Sequence, residues 1–162
     1  MKTLLATAFL AAVTGAAGGC SKVSQASTEA DKGPLQPSAA QARPSLENAN
    51  YRAEMKAQGP CKKDNTCTAE VLVEAKGDYH INDKYPYRFK LEDPPPAGMK
   101  YPKPVVGKED ATMDLHKVVL KVPFVSASTG KKKVAGTLSL SVCSAANCLM
   151  DKQPLEVTIK VE

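Results

Sequence analysis

The sequence has no tryptophan, three phenylalanines, five tyrosines and two histidines in 162 residues. Single-stranded nucleic acid is held by aromatic platforms set among clustered positive charges. Here the aromatics are sparse and the basic residues scattered, apart from Lys131-Lys132-Lys133, so nucleic acid is excluded as a partner. His80 and His116 stand far apart with no third ligand at metal spacing, and read as satisfied or solvated side chains. Met99, Met113 and Met150 lack the spacing of a copper(I) site and read as packing or surface residues. No Ser-His-Asp spacing and no phosphate-cradling glycine loop is present. Neither a cofactor nor a metal is therefore expected. The one long apolar run falls short of the roughly 20 residues needed to cross a bilayer.

That run lies at the N-terminus. Met1-Lys2 gives a basic start, Leu4 to Val13 is apolar but for Thr7, and small residues lead to Cys20. Charge, greasy stretch and small-residue site are the order of a secretory signal, here residues 1–19. The small-small-Cys ending resembles the lipobox of bacterial lipoproteins. That resemblance implies a diacylglyceryl group on the Cys20 thiol and cleavage before it, which also disposes of an unpaired cysteine in an oxidising compartment. Several acyl chains would anchor the protein stably. Ser21, by a sorting rule known from some bacteria, points to the outer membrane.

Residues 20–60 read as the lipidated cysteine and a flexible tether. The stretch is rich in Ser, Ala, Gln and Pro and poor in large apolar residues, so it is expected to bury too little to offset chain entropy. Roughly 100 residues remain, 61–162, enough for one core. The formal charge of +5 singles out no partner.

From residue 69 the pattern has period two. Ala69-Val71-Val73-Ala75 alternates with Glu70, Leu72 and Glu74, and mostly polar alternates also separate the apolar residues of Tyr79 to Leu91, Val118 to Phe124, Leu138 to Val142 and Leu155 to Val161. Such alternation predicts strands with one buried face. The breaker Asp93-Pro94-Pro95-Pro96-Ala97-Gly98 and shorter turn signals separate them. The expected fold is all-β, an antiparallel sandwich. Lys131-Lys132-Lys133, after Ser-Thr-Gly, reads as a solvated hairpin turn.

Cys61, Cys67, Cys143 and Cys148 remain, and four cysteines allow three connectivities. The local one joins 61 to 67 and 143 to 148. Each small loop is worth about 2 kcal/mol by chain entropy, against about 4.5 kcal/mol for a Cys61–Cys148 link. Neither spacing is CxxC, and a zinc site would want closer pairs in a reducing compartment. Cys143 shares the parity of Ser139 and Ser141, so its sulfur is expected to face away from the core, beside the turn Ser144-Ala145-Ala146-Asn147. Exchange requires such access, because it passes through a mixed disulfide. On the residues alone, both pairs also read as structural staples.

Gly77-Asp78-Tyr79-His80-Ile81-Asn82 with Tyr85-Pro86, and Gly136 to Val142 with Cys143 and Cys148, resemble the N-terminal periplasmic domain of the thiol:disulfide interchange protein DsbD. The resemblance spans about residues 66–162 and implies an immunoglobulin-like sandwich. It implies that Cys143 and Cys148 form an exchanging pair, which takes electrons from a separate membrane donor and passes them to periplasmic thiol–disulfide proteins. It implies a cap loop over that pair, for which Tyr101 is the aromatic candidate. Cys61–Cys67 has no counterpart in the resemblance and reads as a staple on the strand by which the chain joins the domain. The expectation is a lipid-anchored, periplasm-facing exchange module of the cell envelope. The alternative is a non-enzymatic immunoglobulin-like binding or structural lipoprotein whose disulfides are inert.

Overall fold

A computed structural model describes residues 41–162. The expected signal 1–19, Cys20 and the tether as far as residue 40 lie outside the described residues. Eleven strands and one short 3-10 helix make up the domain: β1 (Ser45–Glu47), β2 (Tyr51–Ala57), β3 (Thr66–Ala75), β4 (His80–Ile81), β5 (Arg88–Leu91), β6 (Met99–Lys100), β7 (Val105–Gly107), the helix Lys108–Asp110, β8 (Ala111–Met113), β9 (Lys117–Ser126), β10 (Gly130–Cys143) and β11 (Cys148–Val161).

All strand pairs are antiparallel, in two sheets. One sheet runs β1-β2-β3-β9-β6, with β8 beside β6 on the free edge of β9; the other runs β11-β10-β5-β7, with β4 on the same edge of β10 as β5. The apolar members of each alternation meet in one core. Val71, Val73, Leu120, Val122 and Phe124 come from the first sheet, and Phe89, Leu138, Leu140, Leu155 and Ile159 from the second. The domain is the all-β antiparallel sandwich that period-two patterning predicts.

Three expectations need correction. The domain does not begin at residue 61. Residues 45–57 of the expected tether are β1 and β2, and β2 pairs with β3 from Tyr51↔Ala75 to Ala57↔Ala69. Tyr51, Ala53 and Met55 alternate into the core, a period-two signal muted by a small residue and by polar surroundings. Lys131-Lys132-Lys133 is not a turn but the start of β10, paired with Lys160, Ile159 and Thr158 of β11. The continuous strand expected from residue 79 to 91 is β4 and β5, separated by a turn in which the Tyr85 N–H donates to the Asn82 carbonyl at 3.1 Å.

The closest approach of β5 to β10 depends on Gly136. A Cβ there would lie 2.5 Å from the Lys90 carbonyl oxygen and 2.7 Å from the ring of buried Phe89. Neither neighbour is the free end of a flexible side chain. Gly136→Ala is expected to lower stability by about 1–3 kcal/mol through overpacking, seen as a lower denaturant midpoint at unchanged m.

Candidate functional site

The last pair of the β10–β11 ladder is Cys143↔Cys148, and the two are joined by a disulfide with a Cα–Cα distance of 4.0 Å. The local sequence explains that closeness. Beyond the pair, the Ser144 N–H donates to the Asn147 carbonyl at 2.8 Å. The Ser144 hydroxyl accepts from the N–H groups of Ala146 and Asn147, both at 3.3 Å. Ser and Asn favour such turns because their side chains bond nearby backbone. A hydrogen-bonded 144/147 pair makes 143/148 the non-hydrogen-bonded pair next to it, the ladder position where Cα atoms come closest.

The two cysteines are not equivalent. Cys148 is exposed, whereas Cys143 is 7% exposed. The expected outward parity of Cys143 is observed, since it alternates with core-facing Val142, yet its side chain is buried. β4 pairs beside β10 in the same sheet, with Val142↔Ile81 and Cys143↔His80 as partners, so Cys143 lies between Cys148 and His80 on the outer face. The turn after β4 is bonded to Ser141. The Asn82 N–H donates to the Ser141 carbonyl at 3.1 Å, and the Asn82 amide donates to the Ser141 hydroxyl at 3.3 Å. The Tyr87 hydroxyl donates to the same Ser141 carbonyl. Burial raises the Tyr87 hydroxyl to about 12, so it stays a donor throughout the physiological range. Ser141 is fully buried as a result.

His80 is the cross-strand neighbour of Cys143, which sets their Cβ atoms about 4.5–5.5 Å apart on one face. Tyr79 donates its hydroxyl to the Asn147 side-chain oxygen at 3.3 Å, tying the 77–82 stretch to the turn between the cysteines. The two segments behind the DsbD resemblance are thus neighbours in space. His80 and Tyr79 are the site residues that sequence reasoning passed over. The signal for them was their place in the same quoted motif.

Tyr101 is not over the disulfide. It follows β6, which pairs with Val125 and Ser126 at the end of β9. The charge it senses is that of Glu92, whose N–H donates to the Ala135 carbonyl at 3.0 Å. Ala135 is eight residues along β10 from Cys143, a span of roughly 26 Å. Burial, and secondarily Glu92, raises the Tyr101 hydroxyl to about 12, and this buried oxygen has no hydrogen-bond partner among the described residues. The cap-loop expectation fails because the Pro-rich breaker carries the chain to the far end of the sandwich. Tyr79 is the aromatic residue beside the pair.

Cys61 and Cys67 form the second disulfide, and both are buried. Cys61 precedes β3 and lies beside Val161; the Glu162 N–H donates to the Cys61 carbonyl at 2.9 Å, and the Lys63 N–H to the Glu162 carbonyl at 2.8 Å. This bond therefore fixes the β2–β3 loop against the end of β11. It does not staple the first strand of the domain, since β1 and β2 come before it.

No family model and no curated protein matches the sequence. Among solved structures, the ASH/PapD-like domain of human CEP192 (PapD-like domain 7) is similar at 10% identity and a TM-score of 0.30, covering 80% of this chain and 98% of that one. A likeness of that degree says nothing about function. The chemistry must be argued from the two sulfur pairs.

Proposed function

We propose that the domain is a thiol–disulfide exchange module of the cell envelope, working through Cys143–Cys148. The observation that carries this reading is the asymmetry of the pair: Cys148 is exposed at the end of a hairpin, while Cys143 and both members of the other disulfide are buried. A donor thiolate attacks the Cys148 sulfur, the S–S bond breaks, and Cys143 departs as a thiolate. His80, its cross-strand neighbour, supplies a hydrogen bond or a proton to that sulfur. The donor's second thiol then displaces Cys148, leaving a donor disulfide and a Cys143/Cys148 dithiol. The dithiol reduces a partner's disulfide by the same steps in reverse, so two electrons pass through.

Two of the three large apolar side chains exposed among the described residues are at this end. Met150 is two residues from Cys148, and the Leu115 carbonyl accepts from the Ile81 N–H on β4. Exposed apolar rims suit transient partners. The proposed setting is the DsbD-like one: a lipid anchor at Cys20, a membrane electron donor, periplasmic acceptors, and the outer membrane by the Ser21 rule. Burial of Cys143 favours the second reading, a binding or structural lipoprotein with inert disulfides. The deciding experiment is redox titration of the pair in thiol buffers, with alkylation and mass spectrometry to tell it from Cys61–Cys67.

A further inference from the structure

The outer face of the second sheet continues from the disulfide into a cleft of about 500 Å³ lined by Tyr85, Pro86, Arg88, Lys90, Thr137, Ser139 and Lys152. Register explains the convergence. Arg88 pairs with Ser139, Lys90 with Thr137 and Lys152 with Ser139, so three cations surround two hydroxyls on adjacent strands. No carboxylate lines the cleft. Elsewhere seven of the sixteen lysines and arginines among the described residues are held in ion pairs, as in Arg52–Glu54, Lys76–Glu47, Lys103–Asp110 and Lys133–Glu156; what sets the cleft apart is the convergence of three unpaired ones. Arg88, Lys90 and Lys152 are exposed and form no ion pair among the described residues. Asp151, the sequence neighbour of Lys152, is occupied by the Tyr51 hydroxyl and the Gln153 amide, at 2.6 and 2.9 Å, and Glu92 and Asp93 lie with Lys90 on a separate hollow without an ion pair to it.

The cleft and the disulfide share a face. Cys148, Met150 and Lys152 alternate outward on β11, which puts Lys152 about 13 Å from Cys148 along the strand. Met150 is 70% exposed and, with Tyr85, Asp151 and Lys152, lines a second hollow that shares Tyr85 and Lys152 with the cleft. An apolar foot next to the bond and a cationic cleft beyond it match a partner whose reactive cysteine is followed by acidic residues. We infer that the Arg88–Lys90–Lys152 cleft docks an acidic segment of the exchange partner and thereby selects which protein thiols reach Cys148. The inference rests on the exchange reading above. Its occupant follows from charge: uncompensated cations raise the local concentration of an acidic partner and its rate of encounter.

The test uses two synthetic peptides, each with one cysteine, one carrying four glutamates after it and the other four lysines. Two peptide thiols become one peptide disulfide as Cys143–Cys148 becomes a dithiol, so the reaction needs no other reductant. Rates of opening, corrected for each peptide's measured thiolate fraction, are compared with the rate for uncharged dithiothreitol. At low ionic strength the acidic peptide is expected to react about tenfold faster than the basic one. The ratio should approach one in high salt, where the screening length is roughly 3–4 Å. The triple variant Arg88→Ser/Lys90→Ser/Lys152→Ser should lose the preference and keep the dithiothreitol rate. A variant with the same charge change at the other end of β10 and its neighbours, Lys62→Ser/Lys131→Ser/Lys160→Ser, should keep the preference. Equal peptide rates, or a preference that the cleft variant retains, would overturn the docking proposal alone. If dithiothreitol itself leaves the bond closed under native conditions, the exchange reading fails and takes the docking proposal with it.

Discussion

A chain that starts at residue 61 is expected not to fold, whereas one that starts at residue 41 folds cooperatively. Removing residues 41–60 strips β2 from the full length of its pairing with β3. It also takes Tyr51, Met55 and Leu46 out of the core. Each large apolar side chain contributes about 1.5–3 kcal/mol on burial. Three of them thus account for roughly 5–9 kcal/mol, comparable to the whole stability of a typical domain, about 5–15 kcal/mol. The loss also exposes one edge of β3 and leaves Asp151 without the Tyr51 hydroxyl that spans the two sheets. Circular dichroism and a thermal melt distinguish the two chains. A cooperative transition in the shorter one would mean that β1 and β2 are accessory to the fold.

The second large effect concerns the sulfurs. Cys143→Ser frees an exposed Cys148 thiol, and Cys148→Ser frees a buried Cys143 thiol flanked by β4. Reaction with an aromatic disulfide reagent should be at least tenfold faster in the first variant than in the second, because attack requires access to the sulfur. Stopped-flow absorbance measures both. Equal rates, or a faster Cys143, would contradict the assignment of Cys148 as the attacked sulfur. A third variant, His80→Ala, should slow opening of the intact disulfide by thiols without slowing reaction of the isolated Cys148 thiol, since its neighbour is Cys143.

Most of the sandwich was legible because β3, β9, β10 and β11 are long and their apolar residues keep parity. Those four strands supply Val71, Leu120, Phe124, Leu138, Leu140 and Leu155 to the core. The short strands were not legible. β6 has two residues and β7 and β8 three each, too few for alternation to register. β2 was hidden because Ala53 stands at a core position within a polar segment. The cysteine pairing was legible from spacing, and the outward parity of Cys143 from Leu138, Leu140 and Val142. The burial of Cys143 despite that parity was not, because the strand that flanks it, β4, is distant in sequence, as is Asn82, which bonds Ser141 from 59 residues away. The cap expectation for Tyr101 misjudged which end of the sandwich the Pro-rich segment reaches. Chain order alone does not specify that.

The exchange reading depends on how readily the hairpin disulfide opens compared with the buried one. A redox titration of the folded protein, resolved by alkylation and mass spectrometry, gives both potentials in one experiment. Exchange predicts a Cys143–Cys148 couple in the range of working thiol–disulfide proteins, about −180 to −270 mV, with Cys61–Cys67 still closed. A Cys143–Cys148 potential below about −300 mV would mark the bond as structural and contradict an electron-carrying role.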